Sequence, residues 1–317
     1  MKEQILDFAE QFRWEPIIEN AGKMPKADRF LVCGMGGSAL SGDLLKVFSP
    51  KTRISVHRDY GLPEIDGGTF VIASSYSGNT EETLDAYSTA LKSGRPLVAI
   101  ASGGKLLEMA QKDGVSYIQI PPTGIQPRMA LGYGCLALLE IIGNERTLKE
   151  MKESGVTLDP AGLENKGQEV AERIRDKIPV IYSSARNGPI AYVWKIKFNE
   201  TGKIPAFCNI LSELNHNEMT GFDVKDATRH LSERFHFIFL RDDTDHPQIQ
   251  KRMAVLERLY GVRGLPVASY QLQGKSLIHK LFSALLVADW AAYYTAEAYG
   301  LESEQVPMVE EFKKEIG

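Results

Sequence analysis

A chain of 317 residues, 43% hydrophobic and 25% charged, has the length for two ordinary domains and the composition of a globular protein with a large core. Its formal net charge of −4 excludes a surface built for nonspecific nucleic-acid binding, while a local basic pocket for a small phosphate remains compatible with it. The charged start Met1-Lys2-Glu3-Gln4-Ile5-Leu6-Asp7 is no signal peptide, and the longest apolar stretch, 281–294, is interrupted by Asp289 and too short for a bilayer, so a soluble cytoplasmic protein with no membrane partner is expected.

In chain order, residues 29–33 form a buried-strand run, followed by Gly34-Met35-Gly36-Gly37-Ser38 and a helical segment at 39–48. Short apolar or β-branched runs come next at 53–57, 69–74, 96–101 and 116–120, with helical patterns between several of them, notably at 81–91 and 106–112. Strands alternating with helices predict a parallel sheet covered on both faces. From about 143 to 177 the text is charged and helical without a strand signal, and reads as a linker carrying helices. Alternation then resumes, with strands at 180–183, 204–208, 235–240 and 267–272 and helices at 190–202, 247–260 and 275–299, before a charged tail. The expectation is a doubly wound α/β protein of two similar halves, 1–145 and 146–317, the second beginning with the helical linker and ending in a helical tail.

The most informative segment is Ser75-Tyr76-Ser77-Gly78-Asn79-Thr80-Glu81-Glu82-Thr83, directly after the run Phe70-Val71-Ile72-Ala73. Ser75, Ser77 and Thr80 supply hydroxyls, Gly78 permits a tight backbone, and the helix start that follows favours an anion. No Gly-Lys-Ser/Thr closes the loop, so it is not a P-loop. Loops after parallel strands lie at the carboxyl ends, where open α/β sheets bind ligands; 34–38 and 75–80 both fall there. The 34–39 segment also fits G-x-G-x-x-A, with Asp59 as a ribose ligand, or a purely structural glycine turn. Two such loops at neighbouring strand ends favour a sugar phosphate.

Gln126-Pro127-Arg128-Met129 opens a helix, with Pro127 suited to its first turn; Arg128 is either a solvated helix-start residue or a guanidinium aimed at an oxyanion. The densest polar cluster is Phe198-Asn199-Glu200-Thr201-Gly202 with Glu213, Asn215, His216, Asn217 and Glu218. His216 there is either a hydrogen-bonding residue or part of a site. No second histidine stands near it, so no metal site is expected, and no Gly-x-Ser-x-Gly elbow appears. His57, His230, His236, His246 and His279 carry no pattern. Cys33, Cys135 and Cys208 lack C-x-x-C spacing and read as small buried hydrophobes in a reduced compartment.

Taken together, Gly34-Met-Gly-Gly-Ser38, Ser75-Tyr-Ser-Gly-Asn-Thr80-Glu-Glu-Thr, Pro127-Arg128-x-Ala-Leu-Gly132-Tyr, Asn199-Glu200, Glu213-Leu-Asn-His216-Asn-Glu218, the run from Phe282 through Asp289 to Tyr294, and Phe312-Lys313 resemble, in order, the bifunctional phosphoglucose/phosphomannose isomerases of archaea and bacteria. The resemblance covers nearly the whole chain. It implies two sugar-isomerase (SIS) domains, each a five-stranded, mostly parallel sheet flanked by helices. It further implies a phosphorylated hexose as substrate, no cofactor, and a homodimer. Gly36, Gly37, Ser38, Ser75, Ser77 and Thr80 would hold the substrate phosphate. Glu200 would be the base moving a proton between C2 and C1, and Arg128 would stabilise the enediolate. His216, donated across the dimer, and Lys313 would open the ring. Val306 stands where some members carry a threonine associated with tolerance of the mannose epimer, which leaves dual specificity open.

Three competitors remain on sequence grounds. A sugar-phosphate-binding SIS regulator would not need Glu200, His216 and Lys313 together, and no basic helix-turn-helix segment is evident. A nucleotide-dependent oxidoreductase leaves the 75–83 loop unexplained. An isomerase of amino-sugar phosphates is a nearer variant that the sequence separates poorly.

Overall fold

A computed structural model describes residues 1–24 and 27–316, in two units: Asp7–Leu158, and Met1–Leu6 together with Asp159–Gly317. Helix α1 (Lys2–Leu6) belongs to the second of these.

The Asp7–Leu158 unit is built on β1 (Ile18–Glu19), β2 (Arg29–Cys33), β3 (Arg53–His57), β4 (Phe70–Ser74), β5 (Leu97–Ala101) and β6 (Ser116–Gln119), in the spatial order β1-β6-β5-β4-β2-β3. All neighbours are parallel except β1, which runs antiparallel to β6. Every residue of β4 is buried, as a strand covered on both faces must be, whereas the edge strand β3 has only exposed and half-buried positions. The helices are α2 (Gly36–Phe48), α3 (Glu81–Lys92), α4 (Gly104–Asp113), α5 (Leu131–Ile142) and α6 (Glu145–Val156). Gly143, at φ 70°, ends α5, and the Asn144 side chain accepts the Thr147 amide to start α6, so the chain turns sharply there. Helix α6 packs back onto α5 and the short turn Asp7–Arg13.

The other unit has helix α7 (Glu164–Arg173), strand β7 (Ile178–Ser184), helix α8 (Gly188–Glu200) and strand β8 (Phe207–Leu211). Two single turns, α9 (Glu218–Gly221) and α10 (Arg229–Ser232), precede β9 (Phe235–Arg241), α11 (Pro247–Gly261), β10 (Val267–Gln271), α12 (Leu277–Ala298) and α13 (Pro307–Ile316). Its sheet runs β10-β9-β7-β8, all parallel. One layer of core joins Val180 and Tyr182 of β7 and Phe237 and Phe239 of β9 to Met253, Leu256 and Tyr260 of α11. α8 and α7 each pack on the largely buried helix α12.

The α/β class with parallel sheets flanked by helices is as expected from the sequence. The strand counts are six and four rather than five and five. β1 spans two residues, too short to leave a periodic signal. The second half carries four apolar runs in the sequence too; the fifth strand came from the resemblance alone. The expected strand at 204–208 sits three residues later, because Asn199 Nδ2 donates to the Ile204 (3.0 Å) and Ala206 (3.5 Å) carbonyls and commits them to the reversal after α8.

Candidate functional site

In the Asp7–Leu158 unit, β2 and β4 pair in parallel, so the loops 34–38 and 75–80 leave neighbouring strand ends. The Tyr76 amide donates to Ser38 Oγ at 2.8 Å, tying the two loops together. Ser75 Oγ accepts from the amides of Gly78 (3.1 Å) and Thr80 (3.4 Å) and lies 2.8 Å from Thr80 Oγ1. The buried Ser75 hydroxyl therefore shapes the loop from within, while Ser77 is exposed. Gly78 has φ +71°, and a Cβ there would lie 1.8 Å from the Gly103 carbonyl oxygen. Only glycine fits this close approach to the loop after β5.

The same corner reaches Arg128. A Cβ on Gly37 would fall 2.3 Å from the Pro127 carbonyl oxygen and 3.0 Å from the Arg128 amide, so the first turn of α2 lies directly against the turn Pro127–Met129. Arg128 is 1% exposed, which removes the solvated helix-start alternative. Sequence reasoning did not find what holds this turn. Buried Gln11 donates from Nε2 to the Met129 carbonyl (2.7 Å), and its Oε1 accepts the amides of Gly132 (3.0 Å) and Tyr133 (3.3 Å) at the start of α5. Gly37, Ser38, Ser75, Ser77, Thr80 and the Arg128 backbone thus share one end of one sheet, at the starts of α2 and α3, and a helix start favours an anion.

Glu200, His216 and Lys313 belong to the other unit. Glu200 is the last residue of α8 and half-buried; its carbonyl accepts the Lys203 ammonium at 2.6 Å. One turn earlier, Lys197 Nζ stands 2.5 Å from Asp289 Oδ1 of α12, the side chains 0% and 1% exposed. This buried pair fixes the last turn of α8, and no local pattern announced it. His216 ends the short turn Glu213–His216 with an exposed side chain that has no hydrogen-bond or ion-pair partner among the described residues. The neighbouring carboxylates are already engaged. Glu213 accepts Asn217 Nδ2 at 2.8 Å, and Glu218 accepts Asn209 Nδ2 at 2.5 Å and the Tyr182 hydroxyl. Lys313 pairs with Glu310 (2.8 Å) on α13, a helix with no buried residue.

All three cysteines are free, and Cys208 is half-buried rather than buried. Burial pushes the thiols of Cys33 and Cys135 up to about 12, which leaves both inert at neutral pH. Among the described residues, no group of three or more His, Cys, Asp or Glu side chains is placed to hold a metal ion, and no helix is long and apolar enough to cross a membrane.

Residues 163–316 match the family described as the bacterial phospho-glucose isomerase C-terminal SIS domain. The whole chain is similar to a bifunctional phosphoglucose/phosphomannose isomerase of Caldicellulosiruptor bescii, 35% identical over 314 residues that cover 93% of this chain and 91% of the relative. A protein of the same name from Thermoplasma acidophilum is 36% identical over 290 residues, covering 90% of this chain and 89% of its own. A solved structure of a hypothetical protein from Thermus thermophilus has the same fold, with a TM-score of 0.74 at 17% identity over 98% of this chain and 89% of that one. With relatives above 30% identity along nearly its full length, the chain belongs to the bifunctional phosphoglucose/phosphomannose isomerase family.

Proposed function

We propose that this protein interconverts glucose 6-phosphate and fructose 6-phosphate, and mannose 6-phosphate with the same ketose, through a cis-enediol. The observation that carries the reading is the full-length likeness to relatives of that name. The tied loops at 34–38 and 75–80 give it a physical basis, as a preformed corner for a phosphate. In this reading Gly36, Gly37, Ser38, Ser75, Ser77 and Thr80 hold the phosphate as a remote handle, and its binding energy orients the far carbons. Glu200 takes the C2 proton of the open-chain aldose and returns it to C1, while a hydroxyl proton passes between O2 and O1. Arg128 stabilises the negative charge of the enediolate. His216 and Lys313 move protons between the ring oxygen and the anomeric hydroxyl to open the ring. A planar enediol accepts the C2 proton on either face, so both epimers can use one site.

Homodimerisation with His216 serving the neighbouring copy is part of the same proposal; the exposed imidazole, without a partner among the described residues, supports it. The free, inert cysteines accord with a reducing cytoplasm. The test is an assay in chelator-treated buffer with glucose, mannose and glucosamine 6-phosphates, following fructose 6-phosphate. Formation from the first two is expected. Turnover of the amino sugar alone, or binding without turnover, would replace this reading with the amino-sugar or the regulator reading.

A further inference from the structure

The two sheets share a strand plan, and their corresponding corners differ in content. In one, β4 lies beside β2 on the side away from the edge strand β3; in the other, β9 lies beside β7 on the side away from the edge strand β8. Ser75 is the first residue after β4, and Asp242 is the first after β9. Asp242 is therefore the positional counterpart of the serine that shapes the phosphate corner, and the loop 184–188 before α8 is the counterpart of 34–38.

The Asp242 carboxylate, with a side chain 0% exposed, is surrounded by donors. Oδ2 accepts Arg186 Nη2 at 2.7 Å and Asn187 Nδ2 at 3.2 Å. Oδ1 accepts Lys280 Nζ at 2.8 Å, the Thr244 hydroxyl at 2.7 Å and the Thr244 amide at 3.0 Å. Burial pushes the Asp242 carboxyl up, but the Lys280 ammonium, the Thr244 amide and hydroxyl and the Asn187 amide outweigh it and hold it below the ordinary carboxylate range. Two cations, a side-chain amide, a hydroxyl and a backbone amide converging on one oxyanion make up the donor set that proteins assemble around a phosphate. Asp245 lies on the same cluster, accepting Ser184 Oγ at 2.8 Å with Arg186 at 3.5 Å, so two carboxylates face two cations.

We propose that this corner is an oxyanion-binding site occupied by the chain's own Asp242 carboxylate, which closes the duplicate of the phosphate corner and leaves one phosphate site per chain. An internal ligand is always present, so a sugar phosphate has a single corner to anchor in and a single orientation. The proposal rests on the preceding functional reading only for the identity of the open corner; the donor set around Asp242 stands by itself.

The experiment counts inorganic phosphate bound per chain by calorimetry for the unaltered protein and for Asp242→Gly, which removes the internal ligand and leaves its donors. The expected result is one additional phosphate per chain in Asp242→Gly, lost again when Lys280→Met is added. Repeating the count with Ser77→Ala separates the two corners, since that change weakens only the open one. Should the unaltered protein bind no phosphate, the assignment of the open corner fails, while an increase from zero to one in Asp242→Gly still supports this proposal. If Asp242→Gly folds only when phosphate is supplied, the anion is replacing the carboxylate, which supports the proposal equally. An Asp242→Gly protein that folds and binds no additional phosphate, or that stays unfolded at every phosphate concentration, overturns it.

Discussion

The Lys197–Asp289 pair gives the most direct quantitative test of how α8 is held. Both side chains are removed from water, at 0% and 1% exposure, with 2.5 Å between ammonium and carboxylate. Removing one partner from a buried pair strands the other charge in a low-dielectric interior and costs about 3–5 kcal/mol. In a unit of this size each kcal/mol lowers the melting temperature by roughly 2–4 °C, so Asp289→Leu or Lys197→Met alone is expected to lower it by roughly 6–20 °C. The double variant Lys197→Met/Asp289→Leu leaves no orphan charge, and replacing a buried pair by apolar groups is neutral or stabilising by about 1–4 kcal/mol. Its transition is therefore expected near or above that of the unaltered protein. Urea and thermal unfolding of the four proteins complete a double-mutant cycle. Single variants costing less than about 1 kcal/mol, the range of an exposed pair, or a double variant as unstable as the singles, would refute the claim that this pair is dry and mutually compensating.

Three further outcomes are expected. Glu200→Gln keeps the shape of the residue but removes the proposed base, so kcat is expected to fall by at least about 10²–10⁴-fold with KM changed little; near-normal turnover removes Glu200 from proton transfer. Mixing Glu200→Gln with His216→Ala subunits is expected to regain activity if the imidazole serves the neighbouring copy, because some mixed dimers then carry one intact site; exchange without recovery counts against the shared site. Burial, and then the Arg173 and Lys177 cations, push the His236 ring down to about 4. Against an unfolded value near ~6.5, the unfolded chain binds the extra proton between these limits, so stability is full above about pH 6.5 and loses about 3 kcal/mol as pH falls to about 4. Urea midpoints across that window are expected to fall less steeply in His236→Gln; equal slopes would show that the ring does not titrate on unfolding.

Buried parallel strands are legible as continuous apolar runs, and β2 begins and ends where its run does, while the edge strand β3, with no buried residue, is marked by the β-branched Ile54 and Val56. The 75–80 loop was legible for a related reason. Its chemistry is local, and Gly78 must be glycine for a conformation that its neighbours also impose. What stayed hidden was long-range. For Arg128 the sequence leaves a solvated helix start and a guanidinium aimed at an oxyanion both open, because nothing within its own turn decides its burial; the residue that locks the turn, Gln11, bonds Met129 across 118 positions. Lys197 and Asp289 carry no periodic mark, since a lone charge on an apolar helix face has meaning only once its partner is in place. The shift of β8 has the same origin, a side chain (Asn199) that takes up carbonyls the apolar run had offered to the sheet.

These hidden contacts bear on the proposed catalytic role of Glu200 through α8. The Asn187 side chain at its N-terminal end donates to Asp242 and lies within 3.4 Å of Asp245 Oδ1. Lys197 is pinned to α12 in its last turn. Asn199 and the Glu200 carbonyl are bonded to the reversal that follows. A helix fixed at its start, in its last turn and beyond its end cannot slide or rotate without breaking a buried charged contact. Proton abstraction next to a carbonyl depends on the base being held within a fraction of an ångström of its target. In the proposed function, with Glu200 as base, the unit whose anion corner Asp242 is proposed to fill would have another task, holding the Glu200 carboxylate still. On this proposal, the same aspartate that would close a second anion corner also bonds Asn187 at the start of the helix that carries the proposed base at its opposite end.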